Sequence, residues 1–102
     1  MGVSTVINTY STSQIEVSKV ARAIAHPARI AILQLLYQKD CTCNDIVNQL
    51  PLAQSTVSQH LKELRKVKLI KGQEMPPKTI YSLDKKEYTQ IQILLNSFFT
   101  VI

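Results

Sequence analysis

Pro51 limits this chain's folding more than any other residue. Before it, "CNDIVNQL" carries a helical pattern that a proline, with no N–H and a ring that collides with the preceding turn, cannot continue. After it, only Leu52 and Ala53 precede "QSTVSQHLKEL", a second stretch with apolar residues at helical spacing. The spacing predicts a short helix ending near Leu50 and a longer one that starts at Gln54 or Ser55 and runs to Val67 or Lys68. A short helix, a tight turn and a longer helix make a helix-turn-helix candidate.

The longer helix has two unlike sides. At about 100° per residue, Val57, Leu61 and Leu64 fall within roughly 60° of one another and form the side to be buried. Ser55, Gln59, Lys62 and Lys66 lie opposite, with Ser58 and Arg65 at the margin. Short hydrogen-bonding groups therefore come first and cations later. That order suits double-stranded DNA: glutamine and serine near a helix N-terminus can reach base edges, and lysine or arginine further along meets phosphates. The same face could be an ordinary solvated surface, but the short helix before it and the basic segment after it favour a contact surface. His60 sits nearer the apolar edge, so a packed or hydrogen-bonded structural role is expected in place of base contact. The sequence shows neither a Ser-His-Asp arrangement nor paired carboxylates, so no enzymatic activity is expected.

The remainder of the 102 residues reads as one small domain. The net charge of +5 raises the odds of an anionic partner, and six of the twelve Lys and Arg residues fall between Ala53 and Ser82. Residues 1–13, rich in Ser, Thr and Asn, are expected to be a flexible arm, and residues 14–102 the domain. A first helix begins at Gln14 with Val17, Val20, Ala21 and Ile24 on one face. Pro27 suits the first turn of a second helix, whose core stripe is Ile30, Leu33, Leu36 and Tyr37. Thr42 and Asp45 form a capping-box pattern that opens the short third helix. "LIKGQEM" and "KTIYSLD" around Pro76-Pro77 predict a β-hairpin whose pairing the prolines restrict at its tip. A last helix starts at Lys85. The fold class is mainly α with a small β-hairpin (α+β), in the order α-α-α-α-β-β-α. No apolar run approaches the roughly 18–20 residues that cross a bilayer, and the N-terminus lacks a signal-peptide pattern, so no membrane association and a cytoplasmic location are expected.

Tyr88, Ile91, Leu95, Phe98 and Ile102 recur at steps of three and four along the last helix, the spacing of a helix–helix seam, and Leu94 and Phe99 widen it. This stripe could pack on its own domain. Two adjacent phenylalanines on a terminal helix would then leave a large apolar patch, so a homodimer is expected, with Val17 of the first helix joining the interface.

Three segments carry a resemblance. "STVSQHLKELRKVKLI", "HPARIAILQLL" and "KTIYSL" resemble the recognition helix, second helix and second wing strand of the ArsR/SmtB family of bacterial winged-helix repressors, and together cover about residues 15–100. The resemblance implies a winged helix-turn-helix and a symmetric dimer that represses transcription from a DNA operator until a signal releases it. By position, Gln54, Ser55, Thr56, Ser58 and Gln59 would face the operator, with Lys62, Lys66 and the wing residue Lys78 near phosphates. Two recognition helices would meet successive major grooves about 34 Å apart. The wing tip "EMPPK" departs from the family's Arg- and Gly-rich turn. The competing expectation is a protein-interaction adaptor built on the same fold that reads no DNA sequence.

Cys41 and Cys43 resemble the family's metal box, in which thiolates at the third helix bind thiophilic ions, and a helix N-terminus lowers thiol pKa. They are the only metal candidates. The third cysteine of the arsenic-sensing pattern is Ile46 here, residues 1–40 contain no cysteine, and His26 and His60 lie far from the last helix, where the family's other site needs ligands. A packing pair and a redox-active pair stay open, although a disulfide across one residue would be strained. No cofactor is assigned.

Overall fold

In the computed structural model, residues 9–100 are described. Among them the elements run α1 (Thr12–Ile24), α2 (Pro27–Gln38), β1 (Cys41–Thr42), α3 (Cys43–Gln49), α4 (Gln54–Lys66), β2 (Ile70–Met75), β3 (Lys78–Leu83) and α5 (Lys85–Thr100). This is the winged helix-turn-helix expected, with one addition. Cys41 and Thr42 pair antiparallel with Tyr81 and Ile80, giving a three-stranded sheet in the order β1-β3-β2. A two-residue strand is too short to show an alternation, so the sequence pattern left it inside a connection.

Local chemistry sets the boundaries. α1 starts at Thr12, two residues before Gln14, because Ser11 accepts the Gln14 N–H at 3.0 Å while the Gln14 side chain accepts the Ser11 N–H at 2.9 Å. His26 caps α2, with Pro27 in its first turn, and Thr42 and Asp45 form the capping box that opens α3. In the wing, Met75 pairs with Lys78, so the ladder reaches the tip. Pro76 and Pro77 occupy only the two loop positions, where no ladder N–H is needed, and they leave the pairing intact.

The core is built from Ile32, Leu36, Ile46, Val57, Leu61, Leu64, Leu69, Ile70 and Leu83. On α2 the buried residues are Ile32, Leu33 and Leu36, whereas Ile30 is exposed and Tyr37 is 74% exposed. Nearly every position of "ARIAILQLLY" is apolar, so periodicity alone could not choose the inner face. On α1, Val20 and Ala23 are buried, while Ala21 faces solvent.

α4 leaves through a Schellman motif: Leu69 N–H donates to Leu64 O at 3.2 Å and Lys68 N–H to Arg65 O at 3.0 Å. Leu64 and Leu69 are both buried, giving the apolar contact that accompanies this exit. The left-handed position falls on Lys68, with φ 64°, where a side chain costs energy that glycine would not. Lys68→Gly is expected to raise stability by about 0.5–1 kcal/mol. A urea midpoint that does not rise would contradict this assignment.

Candidate nucleic-acid interface

α4 presents the two sides its sequence predicts. Val57, Leu61 and Leu64 are in the core, and Gln54, Ser55, Thr56, Ser58, Gln59, Lys62 and Lys66 are all exposed. Ser58, at the margin of that face, is exposed like the rest of it. Ala53 caps the helix without a side-chain hydrogen bond, so no side chain at the N-cap covers the N–H groups of the first turn. Those groups and the helix dipole favour an anion there.

An acid on this surface restrains two of its members. Gln59 Nε2 and Lys66 Nζ both donate to Glu63 Oε2 at 3.1 Å. The Lys66 hydrogen bond, followed by the charges around it, holds the Glu63 carboxyl below the usual carboxylate range. Glu63 is therefore ionised at neutral pH and competes with any phosphate for Lys66. Glu63→Gln is expected to tighten duplex binding several-fold by removing one negative charge per protomer. An unchanged dissociation constant would place Glu63 outside the contact zone.

Two further contributors are Arg65, which the sequence places at the margin of the face, and Tyr81, which it does not single out. Ser58, Lys62, Arg65, Lys66 and Tyr81 line a shallow cleft between α4 and the wing. Arg65 lies against the hairpin at Gly72, where an added Cβ would stand 3.1 Å from Arg65 Cζ and 3.0 Å from Thr79 Cγ2. Gly72 pairs with Tyr81, so the missing side chain lets the guanidinium lie on the strand near the phenol. The signal was a glycine opposite a tyrosine in an otherwise ordinary hairpin. Lys78, at the start of β3, is exposed. Hydrogen bonds from Thr42 hold the Asp45 carboxyl below its ordinary range, and the charges of Lys39 and Lys78 act in the same direction. Lys78 thus sits in the field of the first turn of α3.

His60 is the expected structural histidine, only 7% exposed and hydrogen-bonded to Arg29 at 3.0 Å.

The cysteines do not converge on a metal. Cys41 is buried in the core, and its Sγ lies 3.4 Å from the Lys39 carbonyl. Burial, followed by the neighbouring Asp45, pushes its thiol pKa up, because it sits in β1 ahead of the helix and not in its first turn. Cys43 is half-buried at the start of α3, with Sγ 3.6 Å from Ser58 Oγ and 3.9 Å from the Gln54 carbonyl. Among the described residues, no group of three or more His, Cys, Asp or Glu side chains could hold a metal. Two thiols per protomer, one buried in the core and one facing α4, make a poor cage for a thiophilic ion.

Of the residues expected at a dimer seam, Tyr88, Ile91 and Leu95 are half-buried along a groove between α2 and α5, and Val17 is half-buried on α1. Phe98 is exposed, and Ile102 lies outside the described residues. No helix among the described residues is long and apolar enough to cross a membrane.

The profile of bacterial regulatory proteins of the arsR family matches residues 26–71, which span α2 through the start of the wing. The transcriptional repressor PagR of Bacillus anthracis is 35% identical over 80 residues, covering 78% of this chain and 80% of that protein. The chain belongs to the arsR family of bacterial regulatory proteins. A solved structure described as a possible transcriptional regulator for arsenical resistance is 29% identical with a TM-score of 0.71, covering 76% of this chain and 81% of that one. The homodimeric winged helix-turn-helix DNA-binding domain of a possible ArsR-family regulator from Mycobacterium bovis shares the fold, with a TM-score of 0.69 at 20% identity over 82% of this chain and 79% of that domain. This arsR-family chain is a DNA-binding transcriptional regulator and not an enzyme.

Proposed function

We propose that the protein is a homodimeric transcriptional repressor that acts in the cytoplasm on a two-fold symmetric operator. The observation that carries this reading is the exposed face of α4, from Gln54 to Lys66, continuous with the basic cleft it shares with the wing. Gln54, Ser55, Thr56, Ser58 and Gln59 would read base edges in the major groove, while Lys62, Lys66, Arg65 and Lys78 would neutralise phosphates.

The surface of α5 supports the dimer. It buries no residue fully, and it leaves Ile93 60% and Phe99 67% exposed. Phe98 and Phe99 stand edge to face with centroids 5.2 Å apart. Such an apolar surface suits a second copy of α5, with Val17 of α1 beside it. The M. bovis domain is homodimeric, which supports the same assembly here. The releasing signal is unassigned, because two thiols per protomer make a poor cage for a metal.

Footprinting on the DNA upstream of the protein's own coding sequence, together with sedimentation of the free protein, tests the reading. Two protected half-sites about 34 Å apart and a dimeric mass are expected. A monomer that protects no sequence would leave an adaptor role.

A further inference from the structure

Behind the exposed face of α4, a polar cluster joins three segments of the chain. Arg29 on α2 donates through Nε to His60 Nδ1 at 3.0 Å and through Nη1 to the Ala23 carbonyl near the end of α1, also at 3.0 Å. His26, the N-cap of α2, accepts the Ala28 N–H at its own Nδ1 at 3.1 Å. Its ring stands 4.5 Å from that of His60, tilted by 53°. One guanidinium thus bridges the end of α1 and the middle of the recognition helix.

We propose that His26, Arg29 and His60 form a proton-sensitive brace that positions α4, so that operator affinity falls when His60 gains a proton. The proposal rests on the reading that the outer face of α4 contacts DNA. His60 is the positioning residue, because it touches no base and acts through the helix that carries Gln59 and Lys62.

The chemistry follows from one lone pair. An Nδ1 that accepts from Arg29 belongs to a neutral imidazole with its proton on Nε2. A proton on Nδ1 would point an N–H at the guanidinium N–H, and would add a cation to a buried site beside Arg29 and His26. Burial first, then the charges of His26 and Arg29, hold the His60 pKa below its ordinary value. From α4 itself the nearest acid is Glu63, one turn on, already bonded to Lys66 and Gln59 and ionised throughout this range. It is not a free acceptor for the displaced arginine. Because the folded pKa is lowered, the brace is intact above about pH 6.5 and is lost as the pH falls through the folded value.

Asparagine can place its Oδ1 where Nδ1 accepts but cannot take the proton, so His60→Asn separates the brace from its titration. The test is a pH profile of affinity for the upstream duplex at fixed salt, with amide spectra of the free protein alongside. The wild type is expected to lose affinity relative to His60→Asn as the pH falls, reaching about tenfold one pH unit below the midpoint of the His60 titration in the free protein, with the two matched at about pH 7.5. The amides of Gln54–Lys66 should move with His60 in the wild type and stay still in His60→Asn. His26→Asn, which keeps a good helix cap, should raise the midpoint by removing the neighbouring ring that disfavours a proton on His60. It also provides the readout if His60→Asn fails to fold. Parallel affinity profiles, or α4 amides that ignore the His60 titration, would overturn the brace. No duplex binding at any pH would instead sink the DNA reading of α4, and the amide spectra would still decide the brace.

Discussion

Replacing Gln59 and Lys62 together by alanine is expected to lower operator affinity by about a thousandfold or more while leaving the fold intact. A glutamine paired with adenine contributes roughly 2 kcal/mol of discrimination, and a lysine on a phosphate about 1 kcal/mol or more. A symmetric dimer makes both contacts twice, which takes the complex down to the level of non-specific binding. The cost to the free protein is small, because both side chains are exposed and the hydrogen bond that Gln59 makes to Glu63 lies at the surface. A shift of less than about 0.5 kcal/mol in unfolding free energy is expected. Fluorescence anisotropy with a labelled duplex and urea unfolding on the same preparation check the pair of outcomes. Undiminished affinity would move the contact surface off α4.

Leu61→Ala, two residues from Gln59 on the opposite side of the same helix, should do the reverse. Leu61 is 1% exposed and packs in the core that joins α4 to the rest of the domain. Removing its branched end leaves a cavity, at a cost of about 2–5 kcal/mol. Domains of this size hold only about 5–15 kcal/mol in total, so the melting temperature should fall by about 10 °C or more. Operator affinity per folded molecule should change far less than with the surface pair. A loss below about 1 kcal/mol would show that the core relaxes around Leu61.

The contrast between these variants shows which features were legible in the sequence. The two sides of α4 were plain, because a helix that is polar on one face and apolar on the other can turn only one way. Pro27, Pro51 and the Thr42–Asp45 box marked helix boundaries for the same reason: each acts on its own neighbours. The inner face of α2 was not legible, since Ile30 and Tyr37 are as apolar as Ile32 and only the packing of α4 and the sheet decides between them. β1 was hidden because its two residues owe their strand geometry to Tyr81 and Ile80, some forty positions away. Arg65 was passed over at the edge of the α4 face, and the gap at Gly72 that receives it exists only once the wing folds back. The burial of Cys41 likewise follows from the strand, which the Cys-x-Cys spacing alone does not show.

The central claim is that α4 and the wing bind DNA through both base and phosphate contacts. Its most direct test is the salt dependence of binding to the upstream duplex and to a random duplex of equal length. Lys62, Arg65, Lys66 and Lys78 on two protomers would neutralise about eight phosphates, giving a log–log slope of about −7 and an affinity for the upstream duplex well above that for the random one. A slope near zero, or equal affinity for both duplexes across the salt range, would contradict it.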